Sequence, residues 1–130
     1  MRVYISGAIT GQPNNNRTAF RIAQRKIEGH REFLLAHQKK LKIVNPQDIG
    51  KTVKQVFATL GYGEPEWEDY MRACIKDLCR ADCVFFLPDW VQSEGASMER
   101  YIAKKLKIKC FDTYNDLSRF FKEAVSRANR

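Results

Sequence analysis

Cys83-Val84-Phe85-Phe86-Leu87-Pro88, followed by Asp89-Trp90-Val91-Gln92-Ser93-Glu94-Gly95-Ala96-Ser97-Met98-Glu99, is the stretch that decides the fold. Five apolar residues in a row, stopped by a proline, read as a strand buried on both faces, the kind a parallel sheet requires. Beyond Ser93 the spacing turns helical: Ala96, Glu99, Ile102, Ala103 and Leu106 recur three and four apart on one stripe. An acid therefore stands at a core-facing position. A strand, a short turn bearing Ser and Gly, and a helix with an inward carboxylate together predict a ligand site at the carboxyl edge of a sheet.

The remaining sequence alternates in the same way. Arg2-Val3-Tyr4-Ile5-Ser6 is a strand pattern that runs into Gly7-Ala8-Ile9-Thr10-Gly11 and a turn at Gln12–Asn16. Phe20, Ala23, Ile27 and Leu34 predict one long amphipathic helix over residues 17–38. Leu41-Lys42-Ile43-Val44 is a short strand stopped by Asn45-Pro46, and residues 47–63, weakly patterned and containing Gly50, Gly61 and Gly63, read as a lid-like loop, partly helical. Glu64-Pro65-Glu66 opens a further helix whose expected buried side is Trp67, Met71, Cys74, Ile75 and Leu78. Ile108–Phe111 gives a fourth strand, and Tyr114, Leu117, Phe121, Ala124 and Val125 mark a terminal helix. Strands alternating with helices at this density predict an α/β fold. The expected form is a Rossmann-like or flavodoxin-like three-layer sandwich, with a parallel sheet of four to five strands in a single domain over residues 1–130.

Composition narrows the function classes. A chain of 130 residues builds one core and one site per subunit. It has no apolar run of membrane-spanning length and strand-like sequence starts at Arg2, so a cytoplasmic protein away from the membrane is expected. Cys74, Cys79, Cys83 and Cys110 form no CxxC pair and read as buried thiols, and His30 and His37 share one basic helix, so no metal is expected. A GxGxxG fingerprint is absent, which argues against a dinucleotide, and no cofactor is expected. The net charge of +8 is uneven: residues 17–42 hold eight basic and two acidic side chains, residues 100–130 nine and three, and residues 43–99 five and ten. Basic outer helices around an acidic middle suit anionic ligands. Nucleic-acid binding is possible but not favoured, because no recognition motif accompanies the charge.

At the carboxyl edge of such a sheet, loops 6–13, 45–50, 88–95 and 112–114 collect the unusual polar residues. Ser6 and Gly7 bring backbone close to a ligand, Asn45 follows the second strand, and Trp90 offers an apolar face for a nucleobase together with Tyr4, Tyr62 or Trp67. Ser93 is a cap whose hydroxyl, with the amides of residues 94–96 and therefore Gly95 and Ala96, forms an anion site suited to phosphate. Ser6, Tyr4 or backbone amides are the groups expected to keep Glu99 ionised.

Tyr4-Ile5-Ser6-Gly7 with Ile9-Thr10-Gly11, then Asn45-Pro46, Ala81-Asp82, Leu87-Pro88-Asp89-Trp90, Ser93, Gly95-Ala96 and Glu99 form an ordered set over about residues 2–110. The set resembles the nucleoside 2-deoxyribosyltransferase-like superfamily, in particular its short bacterial and phage branch and the related deoxynucleoside 5′-monophosphate N-glycosidases. That resemblance implies that Glu99 attacks the anomeric carbon and forms a glycosyl-enzyme ester. It also implies that Ser93 meets a 5′-phosphate, that Ser6-Gly7 lies in the substrate loop, and that subunits pair as a homodimer or higher oligomer. Cys74 stands eight residues before Asp82, where the resemblance implies an acid that activates the departing base. Asp77, about 60° round an ideal helix from Cys74, and Asp89, before Trp90, are the candidates for that missing carboxyl.

The first functional expectation is therefore a nucleotide N-glycosidase or nucleoside deoxyribosyltransferase, acting on a nucleoside or its 5′-monophosphate through Glu99. The second is a catalytically silent nucleotide-binding or sensing module, suggested by Cys74. The third is a basic nucleic-acid-associated protein.

Overall fold

The computed structural model describes residues 1–128 and contains four strands and six α-helices. Strands β1 (Arg2–Ser6), β2 (Lys42–Val44), β3 (Cys83–Phe86) and β4 (Lys109–Phe111) form one sheet in the order β2-β1-β3-β4. All three pairings are parallel. The helices are α1 (Arg17–Glu28), α2 (Arg31–Ala36), α3 (Pro46–Leu60), α4 (Trp67–Leu78), α5 (Glu94–Lys105) and α6 (Tyr114–Ala128). They cover both faces of the sheet, so the architecture is the α/β sandwich that the alternation predicts. The strand order reverses between β1 and β3, and in open α/β sheets the carboxyl ends of strands at such a switch point are where ligands bind.

The pleat divides the core. Val3 and Ile5 of β1 point with Cys83 and Phe85 of β3 into one cluster, closed by Phe20, Ala23 and Ile27 of α1, Leu34 of α2, and Leu117, Phe121 and Val125 of α6. Tyr4 points the other way, with Val84 and Phe86, against Cys74 and Leu78 of α4 and Ala103 of α5. Ser6 shares the Tyr4 face by the same two-residue period.

Two elements differ from expectation. The helix predicted over residues 17–38 is two helices, because Gly29 caps α1 and the chain turns through His30 before α2 begins at Arg31. Gly has poor helix propensity, and Arg31 anchors the turn from outside, bonding the Leu41 carbonyl at 2.6 Å and pairing with Glu28. Residues 47–63 are not a lid-like loop. They form most of the 15-residue helix α3, capped by Asn45 (whose side chain accepts from the Gln47 amide at 2.9 Å), begun by Pro46 and ended by left-handed Gly61. Only Pro46 of this helix is fully buried, but Ile49, Val53, Val56, Phe57 and Leu60 recur at helical spacing, and Ile49, Val53 and Phe57 are half-buried, so the pattern of a helix is present in the sequence. Helix α3 pairs with α4 as a hairpin, on which Val56, Leu60, Tyr62 and Trp67 are exposed. On α5, Leu106 is exposed and leaves the stripe. No helix among the described residues is long and apolar enough to cross a membrane.

Candidate functional site

Glu99 is only 5 % exposed, and its carboxylate is held by two donors on the central strand. Tyr4 donates its hydroxyl to one oxygen, and Ser6 donates its hydroxyl to the other at 2.9 Å. The placement follows from two periods: positions 4 and 6 share one face of β1, and Ala96, Glu99 and Ala103 share the buried side of α5. Burial pushes the Glu99 carboxyl up to about 7, against the two hydroxyl bonds, which favour the charged form. The Tyr4 hydroxyl is pushed well above its ordinary range, first by burial and then by the Glu99 charge, so it remains a donor. Cys74 of α4 lies beside this pair, its thiol pushed up to about 12 by burial and by Glu99, and so stays protonated.

The crevice walls are built from the turns after β1 and β3. The Leu87 amide donates to the Ser6 carbonyl at 2.8 Å, extending the parallel ladder one residue past β3. Gly7 follows because no side chain fits there: a Cβ would stand 2.7 Å from Leu87 Cδ1 and 2.9 Å from its Cβ. Leu87 is itself buried and has little room to yield. Gly7→Ala is expected to destabilise the protein by about 1–3 kcal/mol, the usual range for overpacking, measured by urea unfolding. An unchanged midpoint would mean that Leu87 shifts freely.

Asp89 joins the two turns. One carboxylate oxygen accepts from the Ala8 amide at 3.2 Å and the other from Asn16 Nδ2 at 2.7 Å, while the same Nδ2 donates to the Ala8 carbonyl at 2.9 Å. Asn14, Asn15 and Asn16 all have positive φ, a left-handed run that Asn tolerates better than other side chains and that turns the Asn16 amide inward. The Asn run was visible in the sequence as turn chemistry. The tie from Asn16 to Asp89, 73 residues apart, carries no local signal.

Ser93 caps α5, its hydroxyl oxygen accepting from the Ala96 amide at 3.1 Å. This corrects the expectation that the amides of residues 94–96 are all free: Ala96 is engaged, and those of Glu94 and Gly95 have no hydrogen-bond partner among the described residues. Met71 of α4 covers Gly95, its sulfur 3.1 Å from where a Cβ would stand. Trp90 is packed under the Arg100 guanidinium at 4.3 Å and edge-on to Phe86, and Arg100 is fixed by a two-pronged pair with Asp112 at 2.8 and 3.0 Å. The sequence reading missed Asn16, Met71 and Arg100.

The structure thus gathers Tyr4, Ser6 and Glu99 in direct contact, and sets Gly7, Asp89, Ser93, Gly95 and Ala96 in the turns beside them. Asp77, one turn beyond Cys74, is half-buried. Asn45 faces elsewhere, capping α3 and donating to Gln24 of α1 at 3.1 Å. Tyr62 packs edge-on to Phe57 of α3, and Tyr62 and Trp67 are both exposed on the hairpin. Among the described residues, no group of three or more His, Cys, Asp or Glu is placed to hold a metal ion.

Residues 1–112 match a family described as a domain of unknown function, DUF4406. No curated protein and no solved structure is detectably similar to the chain.

Proposed function

The chain belongs to the DUF4406 family, and from the geometry around Glu99 we propose that it acts on the N-glycosidic bond of a nucleoside or nucleoside 5′-monophosphate, as a hydrolase or a deoxyribosyltransferase. The observation that carries this reading is a buried carboxylate gripped at both oxygens by Tyr4 and Ser6, at the β1/β3 crevice and one turn inside a helix whose first amides are free. Each carboxylate oxygen accepts one hydrogen bond and keeps further lone-pair capacity, so Glu99 can be both held and nucleophilic.

In the proposed reaction an oxygen of ionised Glu99 bonds to the anomeric carbon as the carbon–nitrogen bond breaks. The base leaves with that electron pair and takes a proton from water, and the attacking water or base returns a proton to solvent in the second step. Water, or the base of a second nucleoside, then attacks the same carbon and releases the Glu99 carboxylate, so two inversions give net retention. The Glu94 and Gly95 amides, the Ser93 hydroxyl and the positive end of α5 offer a seat for a 5′-phosphate. Asp89, with both oxygens engaged, supports the loops that form the crevice. Exposed Val56, Leu60, Tyr62 and Trp67 on the α3–α4 hairpin support association with a second copy.

A panel of ribo- and deoxyribonucleoside 5′-monophosphates, incubated with the protein and resolved for free base by chromatography, tests the reading. Release that falls about 1,000-fold or more in Glu99→Ala is the expected result. Cys74 favours a second reading, a nucleotide-binding module without turnover, because its protonated thiol is a poor acid at Glu99's side. Nucleotide-dependent thermal stabilisation without base release from any substrate would replace the first reading with the second.

A further inference from the structure

An open pocket of about 390 Å³ lies between helices α1 and α3 at the β2 edge of the sheet, and every side chain that lines it is polar or charged. Arg17, Arg21 and Arg25 line one wall from α1, Lys51 lies on α3, and Asn45 and Gln24 contribute its neutral amides. None of these residues touches Glu99 or its two donors. None of the ion pairs among the described residues involves Arg17, Arg21, Arg25 or Lys51. The cavity also holds two acids: Glu28, which is paired with Arg31, and Asp48 in the first turn of α3, so its basic side chains outnumber its acids four to two.

Folding alone does not account for this row. Like charges at spacings of four destabilise a helix, and Arg17 sits at the positive end of its own helix dipole. The three arginines stand four apart along about 12 Å of α1 and line one cavity, a longer cationic row than a single phosphate fills. The amino end of α3, capped by Asn45, adds its own positive field to the same space.

We propose that this cavity binds an oligophosphate group, two or more linked phosphates, at a site separate from the Glu99 crevice and independent of its chemistry. The volume suits a small molecule.

Calorimetric titration of the full chain with sodium tripolyphosphate, ATP, inorganic phosphate and a short oligothymidylate tests the site. Tripolyphosphate is expected to bind about tenfold or more tightly than inorganic phosphate, because linked phosphates engage several forks at once. The exposed pair Arg21→Glu/Arg25→Glu is expected to weaken tripolyphosphate about 30-fold or more in a protein that still unfolds cooperatively, and Arg21→Lys/Arg25→Lys to fall in between. ATP binding tighter than tripolyphosphate identifies a nucleotide as the source of the phosphates, and equal binding identifies the phosphate chain alone; either sustains the proposal. Absence of tripolyphosphate binding, affinity unchanged by charge reversal, or oligothymidylate binding tighter than both small ligands with the same arginine dependence overturns it.

Discussion

Glu99→Gln is expected to abolish base release and to make the folded protein more stable at alkaline pH. In the native protein burial pushes the carboxyl up to about 7, from an ordinary value of 4.5. Between those two values the folded chain holds a proton that the unfolded chain has released. Stability therefore falls as pH rises across that window, and it levels off above about 7, where both states are ionised. A shift of that size corresponds to about 3 kcal/mol, an upper figure because denatured chains are partly compact. Gln copies the protonated carboxyl, still accepts from a hydroxyl through its carbonyl, and does not titrate. Relative to the native protein, the variant should therefore gain about 3 kcal/mol between pH 4 and pH 8. Urea unfolding of both proteins at the two pH values measures this as a difference of differences, in which the other titrating groups cancel. A constant gap would mean that Glu99 is ionised in the fold at no expense, and retained turnover would remove it as the nucleophile.

Tyr4→Phe carries the second large effect and separates holding Glu99 from reacting at it. Phe fills the same buried space, so the loss is one hydrogen bond to the charged form of the carboxylate. Bonds to charged groups contribute about 1.5–3 kcal/mol, which raises the Glu99 midpoint by about one to two pH units beyond its present position near 7. The proposed nucleophile must be ionised, so kcat/KM rises with pH through that midpoint. At pH 7 the variant is expected to lose about tenfold or more, and most of the loss should be recovered above pH 9. A loss that is the same at every pH would instead assign the Tyr4 hydroxyl a direct part in the reaction.

How much of this was legible beforehand differs from element to element. Strand β1 was readable in full because its pattern meets a clean Ser6-Gly7 stop, and β3 because five apolar residues precede a proline. Glu99 stood out as an acid on an apolar stripe, and Ser6 and Tyr4 were already its expected companions. Helix α3 was hidden by its glycines: Gly50, Gly61 and Gly63 suggest a loop, although Ile49, Val53, Val56, Phe57 and Leu60 keep helical spacing. Its caps at Asn45 and Gly61 were the remaining signal. The break at Gly29 was masked for the opposite reason: Leu34 reaches the same core as Phe20 and Ile27, so the apolar pattern crosses a turn that the backbone does not. Asn45 shows the limit of reasoning from loops. It occupies the carboxyl end of a strand as expected, yet the end of β2, immediately beside β1, faces an entirely different cavity. The α1–α3 cavity itself left only an arginine repeat, indistinguishable in sequence from a solvated helix face.

The alternation of Val3, Tyr4, Ile5 and Ser6 has a consequence for how such a chain can diverge. Both groups that grip the carboxylate and both that anchor the opposite helices come from one five-residue segment paired on each side. A single inserted or deleted residue there would exchange the two sets, turning Val and Ile toward the acid and a phenol and a hydroxyl into oil. Descendants can vary the exposed tip of the α3–α4 hairpin, around Leu60 and Tyr62, without disturbing either face of the sheet. The spacing inside β1, by contrast, is inherited whole or lost together with the fold.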